Sequence, residues 1–154
     1  MKEMELMMFL LPRVLAATFC GFLIGSEREL KHKVAGIRTH IIVCVGACIF
    51  ASISFVMKDG QTTFDPTRII AQIVTGVGFL GAGLIFKNDD KAVSGVTSAA
   101  FIWLTAAIGV IVGIGYIITP IVFTVGLLIV LLILQKVEDK IEKIVKKNKS
   151  NENN

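Results

Sequence analysis

Charge is sparse in this chain. Asp, Glu, Lys and Arg make up 18% of its 154 residues, and no acidic residue falls between the membrane ends of its apolar runs. A path for a hydrated divalent cation would want one there, so the absence weighs against transport by this chain alone. The titratable groups that exist are split between opposite ends of the apolar runs, which leaves no catalytic constellation and points away from an enzyme. Cysteine is also scarce, with Cys20, Cys44 and Cys48 all inside apolar runs. Buried free thiols behave as small hydrophobes. Cys44 and Cys48 share a helix face at i, i+4, but two sulfurs without a third ligand make a poor metal site, and a disulfide framework is set aside. A cleaved signal peptide is not expected either. Glu3 and Glu5 stand where a basic start belongs, and no A-x-A-like site closes the first run.

Apolar length is what the chain has in excess. It is 54% hydrophobic with a mean hydropathy of +0.75, more than a soluble domain of this size carries. Runs approaching the roughly 20 residues of a spanning helix fall at about 5–25, 37–57, 67–86, 94–114 and 117–135. The expected fold is therefore all-α, a polytopic membrane protein of about five transmembrane helices, with residues 1–135 as its membrane domain. Spans four and five are joined by a tight glycine turn around Gly113 to Tyr116. Residues 136–154 read as a lysine-rich tail: amphipathic first, with Val137, Ile141, Ile144 and Val145 on one face, then disordered from 148 onward.

Basic residues set the expected orientation. Arg28, Lys31, Lys33, Arg38, Lys87, Lys91 and six lysines from Lys136 to Lys149 share one side, against Lys2, Lys58 and Arg68 on the other. This places the amino terminus outside and the tail in the cytoplasm. The net charge of +4 then reflects topology and gives no reason to invoke nucleic acid.

Four polar or glycine constellations stand out. At the cytoplasmic junction, Glu27, Arg28 and Glu29 precede Arg38, Thr39 and His40; Arg38, beginning an apolar span, is expected to be buried against Glu27 or Glu29. On the outer side, Arg13, Asp65, Arg68 and Gln72 form a second cluster. Asp65 before Pro66 reads as a helix cap that is also expected to bind a cation or a partner, and Arg13 as snorkelling outward, pairing with Asp65 or serving a ligand or gating site. Gly76, Gly78, Gly81 and Gly83 strip side chains from half of span three, which is expected to serve close helix packing. Their spacing matches G-x-G-x-x-G, but inside an apolar span this is no dinucleotide site. Gly21 and Gly25, and Gly109 and Gly113, repeat the small-xxx-small spacing, yet leucine at Gly78 or Gly81 is expected to disturb folding or assembly more than at Gly113. In span four, Ser94, Thr97, Ser98 and Thr105 form a hydroxyl stripe with Trp103 among them, whose indole is expected to find an internal acceptor.

In order along the chain, GxxxGSERE, AGIRTH, DPTRIIAQIVTGVGFLGAG, GVTSAAFIWLTAAIG and GIGY resemble the MgtC/SapB family of bacterial inner-membrane proteins, over about residues 18–125. The resemblance implies a five-helix membrane domain linked to growth in low magnesium and, in some pathogens, to survival inside macrophages. It implies no cofactor, with magnesium as a ligand or a signal. It also implies a non-enzymatic regulator of magnesium or cation homeostasis in the inner membrane, partnered by itself or another integral membrane protein, with a cation transporter or channel as the alternative. Carried over by position, the motif residues are Glu27, Arg28, Glu29, Gly36, Arg38, Thr39, His40, Asp65, Arg68, Gln72, Gly78, Gly81, Gly83, Thr97 and Trp103. Longer relatives append a cytoplasmic domain resembling ACT folds, whereas this sequence ends in the lysine-rich tail.

Single cysteines placed at Lys2, Lys58, Lys33 and Asn148 in a cysteine-free background test the orientation. An impermeant thiol reagent applied to intact cells should label the first two and spare the last two; labelling at Lys33 would reverse it.

Overall fold

The computed structural model describes residues 3–58, 65–87 and 92–152. Sequence expectations for Lys2, residues 59–64 and Lys91 fall outside these. Five helices follow one another: α1 Glu3–Leu30, α2 Ile37–Lys58, α3 Thr67–Gly83, α4 Val96–Ile114 and α5 Ile118–Glu152. The chain is an all-α polytopic membrane protein. Four of its helices are long and apolar enough to cross a bilayer, while α3, at 17 residues, is a shorter apolar helix. One element departs from the helical pattern. Phe86–Lys87 (β1) pairs antiparallel with Val93–Ser94 (β2), in register Phe86 with Ser94 and Lys87 with Val93.

Residues 1–124 form one compact unit, and residues 125–154 form a second. In the first, α2 is the centre: α1 and α4 pack on it closely, and α3 lies chiefly against α4. Much of the core is small. Ala17, Cys20, Ala35, Cys44, Ala47, Cys48, Ala51 and Ala106 are at most 4% exposed, beside the larger Ile24, Ile102 and Val112, while Phe79, Ile42 and Ile118 are 70% exposed or more. This inverts the soluble pattern because lipid tails reward no burial of large apolar side chains; close backbone packing is what draws helices together.

Four glycines supply that closeness. A Cβ built on Gly109 would collide with Cys44 O, and one on Gly113 would stand 2.5 Å from Cys48 O and 2.7 Å from the Ala51 methyl. A Cβ on Gly21 would stand 2.8 Å from His40 O and Ile41 Cα, and one on Gly25 would stand 2.5 Å from Ile37 Cα. The side facing α4 is tied further by Ser52 Oγ, which donates to Gly113 O at 3.1 Å. Helix ends are set by local chemistry as well. Gly115, at φ 120°, closes α4, with its own N–H donating to Val112 O and that of Tyr116 to Ile111 O.

Within the chain, α3 uses little of its glycine series. Among the described residues nothing lies within 4 Å of a Cβ at Gly76, Gly78 or Gly83, and the nearest atoms to one at Gly81 are those of Ala99, at an ordinary 3.6 Å. The tail also differs from expectation. Helix α5 continues to Glu152, through residues read as disordered; after Gly126 no Gly or Pro interrupts a run of strong helix formers.

These contacts reverse the expected order of glycine sensitivity. Gly113→Ala should cost about 1–3 kcal/mol, the usual range for overpacking, and Gly113→Leu more, whereas Gly78→Leu should leave the melting temperature of the detergent-solubilised protein nearly unchanged.

Candidate functional site

The junction of α1 and α2 gathers the buried charge. Helix α1 ends in a turn where Lys33 N–H donates to Arg28 O and His32 N–H to Glu29 O, both at 3.0 Å. His32 takes the left-handed conformation, φ 51°, that such an ending requires and that usually falls to glycine. The turn sets His32 and Lys33 beside Arg28. Arg28 itself is 3% exposed. Its guanidinium stacks over the Phe101 ring at 4.1 Å, and its Nη1 lies 3.6 Å from Glu27 Oε2. Glu27 is drawn more closely by Lys31, whose Nζ is 2.6 Å from Oε1, near enough for an ion pair but not directed as a hydrogen bond. Arg28 Nε and Nη2 find no hydrogen-bond partner among the described residues.

Glu29 has a different task. Its Oε2 accepts the Ile37 N–H at 3.1 Å, capping the start of α2, where a carboxylate satisfies a free amide and meets the positive end of the helix. Gly36 makes room, since a Cβ there would collide with that carboxylate. His40 is wholly buried, with Nδ1 2.9 Å from Gly36 O and no partner for Nε2 among the described residues. The AGIRTH motif is thus a helix start built around a cap and a buried imidazole. The expected burial of Arg38 is corrected: Arg38 and Thr39 are exposed, and the buried guanidinium at this end belongs to Arg28.

A pocket of about 240 Å³ with mixed polar and apolar walls opens between the end of α1 and the start of α4, lined by Arg28, His32, Lys33, Val34, Phe86, Ser94, Gly95, Thr97 and Ser98. Gly95 caps α4 at φ 89° with no side-chain cap bond, in a place where any Cβ would strike Leu84 O. Sequence reasoning placed Ser94, Thr97 and Ser98 on one stripe but missed His32, Lys33 and the cavity. The available signal was a glycine followed by hydroxyls at a helix start. Deeper in the stripe, Thr105 Oγ1 donates back to Phe101 O at 2.7 Å. Trp103 is half exposed, at 51%.

The second cluster lies around Asp65. Asp65 Oδ1 accepts from Thr67 N–H at 2.9 Å and from the Thr67 hydroxyl at 2.7 Å, which organises the first turn of α3. Arg68 and Gln72 are exposed. Arg13 reaches toward the amino end of α1: its Nη1 donates to Phe9 O, and the guanidinium sits over the Phe9 ring at 3.6 Å. Nη2 lies against Gly115. Cys20, Cys44 and Cys48 are buried free thiols.

A model of the MgtC family matches residues 14–140 of the chain. The chain is 45% identical over 114 residues to Protein MgtC of Brucella abortus, which covers 74% of this chain and 46% of that protein. It is 45% identical over 112 residues to "Putative magnesium transporter YhiD" of Escherichia coli, covering 70% of this chain and 51% of that one. It is 40% identical over 105 residues to Protein SapB of Bacillus subtilis, covering 65% and 45%. The chain thus spans about half the length of the curated relatives it matches. No solved structure matches it significantly.

The Glu29 cap gives a test by double-mutant cycle. Glu29→Ala should cost about 1 kcal/mol, the usual worth of a cap. Gly36→Ala should cost a similar amount, because the new methyl displaces the same flexible carboxylate. The double variant should cost no more than either one alone, read from thermal or denaturant unfolding in detergent.

Proposed function

The chain belongs to the MgtC family, and we propose that it is a non-enzymatic regulatory protein of the bacterial plasma membrane, linked to magnesium homeostasis and acting through helix contacts with a second copy or another integral membrane protein. The observation that carries this reading is the division of labour among the glycines. Gly21, Gly25, Gly109 and Gly113 are consumed in packing this chain, while Gly76, Gly78 and Gly83 on α3 face open space. Gly76 and Gly83, seven residues apart, share one face of α3, and Gly78 lies on the opposite one; a helix face without side chains admits another backbone closely, and within a bilayer that closeness is the main source of association. The link to magnesium is supported by the name of the Escherichia coli relative.

In this reading α3 is the fifth crossing. Its 17 residues reach about 25 Å at 1.5 Å per residue. The basic asymmetry places the amino terminus outside and α5's lysine-rich end in the cytoplasm. Glu27, Arg28, Glu29, Arg38, Thr39 and His40 then form the inner cluster, with Arg13, Asp65, Arg68 and Gln72 the outer one.

A magnesium transporter is the competing reading, suggested by that same relative's name. Two measurements separate them. Gly78→Leu and Gly83→Leu should retain normal protein level and melting behaviour yet lose support of growth in low magnesium. Purified protein in liposomes should take up no magnesium above empty vesicles. Wild-type growth with both leucine variants would remove the α3 surface from the mechanism, and magnesium uptake by the liposomes would replace regulation with transport.

A further inference from the structure

We infer that the cavity between the end of α1 and the start of α4 is a binding site for a phosphoryl group, a function separate from the α3 surface. Arg28 carries the argument. A guanidinium has five N–H donors and no acceptor, so whatever completes Arg28 must supply lone pairs. Glu27 does so only through a 3.6 Å ion pair, because Lys31 holds the carboxylate at 2.6 Å. Nε and Nη2 are left without a partner among the described residues, on a side chain 97% buried that lines the cavity. A buried donor without an acceptor is strongly disfavoured. The two atoms have no surface exposed to the cavity, and the Glu27 oxygens beside them also lack a hydrogen-bond partner among the described residues, so an acceptor in the cavity that Arg28 lines completes the guanidinium by drawing it round.

The other walls are donors too. Helix α4 starts there at Gly95 with no side-chain cap, so its first-turn amides and the positive end of its dipole face whatever occupies the space. Thr97 and Ser98 bring hydroxyls, and Lys33 and His32 close the side from α1. Arginine, lysine, hydroxyls and helix amides together form the donor set that recognises tetrahedral oxyanions. The volume of about 240 Å³ is ample for a phosphoryl group. Exposed Val34 and Phe86 on the rim suit a ligand that enters from the membrane face.

The phosphoryl group could be carried by an anionic phospholipid headgroup or by soluble phosphate, and the test separates the two. The full chain purified in detergent is titrated with inorganic phosphate against chloride at constant ionic strength by calorimetry. In parallel, native mass spectrometry reads its retention of added phosphatidylglycerol. At least one probe should bind. Binding of free phosphate assigns a soluble ligand, and binding of phosphatidylglycerol alone assigns a lipid headgroup; either sustains the site.

Lys33→Gln, an exposed change that leaves the fold intact, should weaken the bound probe roughly tenfold, equivalent to about 1.4 kcal/mol. Arg28→Lys, which keeps the charge but loses the planar fork, should weaken it at least as much in protein of unchanged size. Lys140→Gln, on exposed α5, should have no effect. A cavity that binds neither probe holds only water and overturns the proposal, as does equal weakening by Lys140→Gln and Lys33→Gln.

Discussion

The first unit depends on backbone meeting backbone at α2. Gly109 and Gly113 of α4 sit against the carbonyls of Cys44 and Cys48, and Gly21 and Gly25 of α1 sit against the backbone from Ile37 to Ile41. In a bilayer the apolar side chains gain nothing by leaving lipid for protein, so stability rests on dispersion at short range and on interhelical hydrogen bonds such as Ser52 to Gly113 O. Each of these needs the other. The hydrogen bond is reachable only because Gly113 brings its helix within reach, and the alanines and cysteines of the core are small because that separation leaves no room for more.

That tight centre explains where the charges go. Three helices meeting this closely leave their interior to apolar and small polar side chains such as Ile24, Ile102, Val112 and Ser52, so Glu27, Arg28, Lys31 and His40 gather at the end of the packed region, where α1 turns back into α2. There the turn geometry sorts them. Glu29 is spent on a cap, Glu27 is shared between Lys31 and Arg28, and Arg28 is pressed onto Phe101 with two donors unanswered. The hairpin of β1 and β2 and the left-handed Gly95 bring the start of α4 to the same place. A cavity rich in donors follows from packing constraints on three separate elements.

The α3 glycines present the opposite case. They have the composition of a packing surface but no occupant within the chain, which is why they, and not the glycines of α1 and α4, carry the proposed contact with a partner. The exposed rings of Phe79 and Trp103 are consistent with this side of the molecule meeting lipid or another helix.

Composition and periodicity sufficed to determine the all-α membrane class, the approximate place of each described helix and the buried thiols, because these depend on local physics: apolar run length and the cost of placing charge in hydrocarbon. The motif strings carried the family. Sequence reasoning could not decide which glycines are used, since three spans are rich in glycine and only the rotation of each helix about its axis selects Gly109 and Gly113 over Gly78. Nor could it tell that Arg28, not Arg38, is the buried guanidinium: adjacent turns of chain differ there only in which way α1's ending points them. His32, Lys33 and Ser98 meet around one cavity for the same reason, because residues more than sixty positions apart are joined by helix packing and by nothing local.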